Sequence, residues 1–133
     1  MGASKSIPAS SRQPLNSDEI IARFSHITSG KYVEVDVPSG ELPHILQDIR
    51  ASLVQIDHDL KQLRRREWEQ KRIVEVNEAE QAERLQGVQG DILKLYRSEY
   101  QRTQKVIGYI LKVRFVLLSI LTKLHLKMRG LTI

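Results

Sequence analysis

The sequence predicts an all-α protein, and three observations carry that prediction. From Leu93 to Met128 runs a long apolar stretch with evenly placed cations. On a helix of 3.6 residues per turn it sets Tyr96, Tyr100, Ile107, Ile110, Leu111, Leu117, Leu118, Leu121 and Leu124 on one broad face. Gln101, Lys105, Lys112, Ser119 and Lys127 mark the opposite stripe, which is narrow. From Leu42, apolar residues recur at alternating steps of four and three through Leu46, Ile49, Leu53, Ile56, Leu60 and Leu63, a heptad seam. The composition, 41% apolar but only 5% aromatic with 28% charged residues, suits bundles and coiled coils better than a fold with a deep pocket. Between Val106 and Leu121 the long helix is apolar almost all round. A chain of this size needs other elements or another chain to bury it, so the expected architecture is a helical bundle with one long C-terminal helix, its apolar faces completed by partner subunits.

A length of 133 residues predicts one domain. Without cysteine the chain has no disulfide, no thiolate metal ligand and no cysteine nucleophile. The net charge of +5 is uneven: residues 91–133 hold nine Lys or Arg against Asp91 and Glu99, whereas residues 31–90 hold nine against twelve acids. The first residues have no charged n-region followed by an apolar h-region, so a secretory signal is not expected. The uninterrupted apolar part of the long helix falls short of the roughly 20 residues that cross a bilayer. Lys112 and Arg114 at its middle would each cost about 2.5–3.5 kcal/mol there, so a transmembrane helix is rejected.

Taken in order, residues 1–14 are rich in Ser and Pro and read as a disordered tail. Met1-Gly2 with Ser6 also fits an N-myristoylation pattern, which makes Gly2 a lipidation candidate. Asn16 and Glu19 have capping-box spacing, and Ile20, Ile21, Phe24 and Ile27 follow on one face, a helix over about 16–28 ended by Gly30. Residues 31–37 alternate Val33, Val35 and Val37 with Glu34 and Asp36, read as an extended connector. Pro38, Ser39 and Gly40 form a turn, and Pro43 suits the first turn of the next helix. That helix is expected over 41–72, its seam dissolving after Leu63, with a further helix over 77–87. Gly87 and Gly90 interrupt the chain before Asp91, a candidate N-cap for the helix over 91–128.

No constellation points to catalysis, a cofactor or a metal. His26, His44, His58 and His125 are scattered, and Asp57, His58 and Asp59, being adjacent on a helix, point in different directions. There is no phosphate loop, nucleophile elbow or His-Glu-x-x-His. Arg64, Arg65 and Arg66 read as a solvated face more than a nucleic-acid cluster, with Glu67 and Glu69 beside them. Trp68, where the seam ends, reads as a cap on the core in preference to an exposed partner anchor. Arg114 lies inside the apolar face. It either pairs with an acid, from the helix over residues 48–59 or from another chain, or buries its stem and reaches water with its head.

With those residues in view, the chain resembles the subunits of GINS, the four-subunit replication complex, most closely the Sld-five type. The long helix carries the likeness in Glu99, Arg102, Val106, Ile107, Leu111, Lys112, Arg114 and Phe115. Upstream, Leu15, Glu19, Ile20, Ile21, Arg23 and Phe24 resemble the family's opening helix, and Glu41-Leu42 opens its second. The match departs at Ile110 and Leu117, and the tryptophan usual before the second helix is missing. The resemblance implies a helical interaction domain over 15–133 without the family's small β-rich domain. It implies a non-catalytic nuclear subunit that assembles with the other GINS subunits and, through them, with the MCM helicase ring, touching DNA weakly or indirectly. The expected interface is Glu99, Arg102, Ile107, Leu111, Arg114, Leu118 and Leu121 on the long helix with Leu46, Ile49, Leu53, Ile56 and Leu60 on the seam. The alternative expectation is an N-myristoylated coiled-coil adaptor on a cytoplasmic membrane surface, and a weaker one is direct nucleic-acid binding by the basic C-terminal third.

Overall fold

The structure, a computed structural model, describes residues 12–29, 35–84 and 87–130. It contains three α-helices, α1 (Ser17–Phe24), α2 (Leu42–Arg84) and α3 (Gly87–Met128), and a 3-10 turn at Ser25–Thr28. No strand occurs among the described residues, so the all-α expectation holds. Residues 1–11, among them Gly2, and 30–34 lie outside the described residues.

The short first helix forms where its caps direct it. The Asn16 side chain accepts from the Glu19 backbone N–H at 2.9 Å, while the Glu19 carboxylate accepts from the Asn16 N–H at 3.1 Å. That is the capping box the spacing predicts, and Asp18 and Glu19 in the first turn with Arg23 in the last suit the helix dipole. Ile20, Phe24 and Ile27 are all buried. A turn closed by Glu41 N–H donating to Pro38 C=O at 2.9 Å precedes α2, and Pro43 sits in that helix's first turn, where its missing N–H leaves no bond unmade. Of the expected connector, Val35 and Val37 are described; both are buried without regular structure.

The sequence places a break between residues 72 and 77, and the structure has none: α2 is one helix of 43 residues. Its seam does not dissolve at Leu63. Glu67, Gln70, Val74, Asn77 and Gln81 continue the four-three steps and are partly or fully buried. Polar residues took over the seam without altering its period, and Arg, Lys, Glu and Gln are good helix formers. The β-branched Ile73, Val74 and Val76, in the gap between the two expected helices, lie within α2, where the Asn77 amide donates back to Ile73 C=O at 2.7 Å. Gly90, read as a breaker, and Asp91, read as a cap, both lie inside α3. A Cβ at Gly90 would come within 3.2 Å of the Gln81 side-chain amide, which would have to give by a few tenths of an ångström. At its other end α3 stops on Gly130, at φ +76°, whose N–H donates to Lys127 C=O at 2.9 Å; this left-handed cap favours glycine.

The chain divides into two compact units, one holding the chain up to Leu53 together with Val116 onward, the other Val54–Phe115. In the first, α1, the 3-10 turn, Val35, Val37 and the adjoining ends of α2 and α3 enclose a core of Ile20, Ile27, Ile45, Leu46, Ile49, Leu117, Ile120 and Leu124, each under 2% exposed. The second is an antiparallel two-helix hairpin. Arg97 meets Glu78 at 2.9 Å and Arg114 meets Asp57 at 3.4 Å, so α3 ascends as α2 descends. Its seam takes Ile56, Leu60, Leu63, Gln70 and Val74 from α2 and Leu93, Tyr96, Tyr100, Thr103, Ile107 and Ile110 from α3.

Candidate interaction site

In the hairpin, the seam uses one face of each helix and leaves two apolar flanks beside it. On the side that carries the Arg97–Glu78 and Arg114–Asp57 pairs, Leu111 and Phe115 lie one turn apart on α3 and Val54 lies one turn before Asp57 on α2, exposed to 38%, 71% and 70%. On the opposite flank lie Ile73 and Val76 of α2 and Ile92, Leu95, Val106 and Tyr109 of α3, all exposed. A cavity of about 60 Å³ opens on this second side between Gln70, Ile73, Tyr96 and Glu99. The Gln70 Oε1 atom is buried with no hydrogen-bond partner among the described residues. A two-helix unit lacks the third layer that would cover these flanks.

The first unit is held by polar contacts that sequence reasoning does not reach. Arg12 forks onto Asp48, Nη2 to Oδ2 at 2.6 Å and Nη1 to Oδ1 at 3.2 Å, and Leu15 N–H donates to the same carboxylate at 3.1 Å. Asp48 is 6% exposed, and three donors replace the water it lost. The hydrogen bond to Asp48 raises the Arg12 pKa above its ordinary value. No sequence signal links positions 36 residues apart; the one clue was an acid on the buried side of an amphipathic helix. Lys127, assigned from the sequence to the polar stripe, instead donates to Val35 C=O at 2.6 Å. At the end of α3, Arg50 lies 3.4 Å from His125 Nε2. An arginine can only donate, so Nε2 is the acceptor of any bond between them, and His125 Nδ1 is buried with no partner among the described residues. Beside it, Leu121, Thr122, His125, Leu126 and Arg129 line a surface cavity of about 240 Å³.

The residues singled out from the sequence divide between core and surface. Leu46, Ile49, Ile56, Leu60 and Ile107 are buried within the chain, and Leu53 and Leu121 are partly buried. Glu99, Arg102, Leu111 and Leu118 are exposed. Arg114 finds its acid within its own chain: Asp57, from the segment the sequence nominated, with both side chains about half exposed. The guanidinium therefore reaches water as its stem lies at the seam. Trp68 does not cap the core. It is 58% exposed, and the Arg72 guanidinium stands 5.0 Å over its ring. The ring points away because Trp68 follows the seam position Glu67, one step round the helix. Asp57, His58 and Asp59 separate as expected: Asp57 faces Arg114, His58 lies 3.3 Å from the Gln62 amide, and Asp59 accepts from Gln55 at 3.0 Å. No group of three or more His, Asp or Glu among the described residues could hold a metal ion. No helix among them is long and apolar enough to cross a membrane.

No protein-family model, curated protein or solved structure matches this chain. The resemblance to GINS subunits rests on the residues that carry it.

Proposed function

We propose that this chain is a non-catalytic structural subunit of a hetero-oligomer and, on the residues from Glu99 to Phe115, a GINS subunit that supports the replicative helicase at initiation and fork progression in the nucleus. The observation that carries the assembly reading is the flank of Val54, Leu111 and Phe115. These residues stay exposed while Ile107, on the same helix as the last two, is buried in the seam. Exposed apolar side chains clustered beside an ion-paired margin are the anatomy of a partner-binding patch. Leu111 and Phe115 are also among the residues that carry the resemblance, so one flank supports both levels of the proposal.

Affinity capture of the full chain at its natural abundance, read by mass spectrometry, tests it. Recovery of three GINS-like chains supports the family reading, and recovery of a second copy alone overturns both. An added acyl chain in the intact mass, together with membrane recovery, would replace the replication reading by the lipidated adaptor. Val54→Ser, at a site 70% exposed, should lose captured partners while the melting temperature of the purified chain stays put. Arg114→Ala should weaken capture more than Lys112→Ala.

A further inference from the structure

The second flank of α3 has an order that goes beyond the likeness carried by Glu99, Arg102 and Val106. Ile92, Leu95, Glu99, Arg102, Val106 and Tyr109 follow one another at steps of three, four, three, four and three, the period of a helix-packing seam. All six are exposed, Leu95 to 65% and Tyr109 to 63%. Neither Glu99 nor Arg102 is in an ion pair with another described residue. The steps read the same in both directions, and on reversal the apolar positions coincide while acid and base change places, so a reversed copy sets Glu99 against Arg102.

From this stripe we infer that the hairpin docks on a second copy of itself through α3, antiparallel and about a two-fold axis between Glu99 and Arg102. In that arrangement each residue faces the one equally distant on the other side of the midpoint. Glu99 of one copy meets Arg102 of the other, and the pair occurs twice by symmetry. Leu95 packs on Val106 and Ile92 on Tyr109, again twice. A parallel arrangement would set Glu99 against Glu99 and Arg102 against Arg102, which like-charge repulsion disfavours. The contact length, 18 residues of helix from Ile92 to Tyr109, is about 27 Å. Ile73 shares the small cavity with Glu99 and therefore lies on the same side; it and Val76, 43% and 53% exposed, widen the apolar surface. The second copy supplies the layer that a two-helix unit lacks, giving a four-helix arrangement with the Leu111–Phe115 flank left for other partners.

The test is the oligomeric state of the purified full chain by sedimentation equilibrium. The wild type is expected to dimerise. Glu99→Arg and Arg102→Glu should each weaken dimerisation on the order of a hundredfold, because each sets like charges face to face at both pairs. Mixing the two variants in equal amounts should restore association, since both facing pairs of the mixed dimer again set a base against an acid. Far-UV circular dichroism confirms that each variant is folded, and Tyr109→Lys, at an exposed site, gives an independent loss. A monomeric wild type, single variants that dimerise as the wild type does, or a mixture that stays monomeric would each overturn the inference. This outcome is separable from that of the proposed function. A monomeric chain that captures three other chains keeps the assembly subunit and removes the self-pairing, whereas a dimer that captures nothing else does the reverse.

Discussion

The first unit and the hairpin are built from stretches of the same two long helices, yet they solve burial differently. The first unit has the eight largest fully buried side chains, among them Ile20, Ile49, Leu117 and Ile120. The hairpin's most buried apolar residues, Ile56, Leu60, Val74, Leu93 and Ile107, all retain 4–8% exposure. The hairpin also carries most of the exposed large apolar residues, from Val54 and Leu95 to Tyr109 and Phe115. The difference is a third layer. In the first unit, α1, the 3-10 turn, Val35 and Val37 complete the enclosure, so a residue such as Ile120, off the main seam of α3, is buried completely. In the hairpin, two helices bury only the strip where they touch, and residues one step off it meet water.

This comparison breaks most plainly in the cores. Ile49→Ala should cost about 2–5 kcal/mol, the range for truncating a fully enclosed aliphatic chain. Ile107→Ala, in the hairpin, should cost clearly less, because its site already opens to solvent and can collapse. Urea unfolding of the two variants decides it, and equal losses would mean that the hairpin core is as closed as the first. Next in size is the clamp on the first unit. Asp48→Asn removes a buried carboxylate from Arg12 and from the Leu15 N–H, so the variant should melt earlier and exchange the Leu15 amide faster. Arg12→Gln leaves the buried Asp48 carboxylate without the two guanidinium donors, so it should lower the melting temperature at least as much while the Leu15 amide, still bonded to Asp48, stays protected. A clearly smaller loss would mean that water reaches Asp48 once the guanidinium is gone.

The same contrast explains what could be read from the sequence. The Leu42–Leu63 seam and the capping box at Asn16 were legible because each is a local repeat or a fixed spacing of three residues. Beyond Leu63 the seam was hidden by its own composition: Glu67, Gln70 and Asn77 keep the period but carry no apolar signal. Gly90 was misread because glycine speaks for a break in isolation, while here it lies inside α3, close to the Gln81 side chain of α2. Trp68 was misplaced by one step of the helix, enough to turn a buried ring into an exposed one. The Arg12–Asp48 clamp and the Lys127 bond to Val35 link positions 36 and 92 residues apart, and no periodicity reports on such pairs. For the candidate site, the sequence found which helix is too apolar for its surroundings. Which of its residues remain outside depends on where α2 lies, and that is tertiary information.

Gln70 sharpens the hairpin side. Its Oε1 is buried without a partner beside a small cavity, so the polar part of the seam holds back stability that an apolar residue would supply. Gln70→Leu should stabilise the chain by about 1–2 kcal/mol in urea unfolding, since an orphaned polar atom is removed and the cavity is partly filled. A loss of stability would show that water reaches and satisfies the amide. Smaller still is Gly108→Ala in the middle of α3. A Cβ there meets nothing within 4 Å, so the gain is the helix-propensity difference of about 0.5–1 kcal/mol, read as a rise in melting temperature.

The smallest expected effect tests how far the two units differ in their ion pairs. Arg12–Asp48 is forked, joined by a backbone donor and attached to a buried carboxylate. Arg114–Asp57 is a single 3.4 Å approach between side chains about half exposed. Water and salt screen the second pair, and ordering two long side chains offsets much of its attraction. Asp57→Ala should therefore change stability by less than about 1 kcal/mol, and by still less at high salt. Arg114→Ala should exceed it, because that substitution also strips the arginine stem from the seam. If Asp57→Ala matched Arg114→Ala, the charge pair and not the stem would be what Arg114 contributes, and the hairpin would resemble the first unit in its electrostatics while still differing in its core.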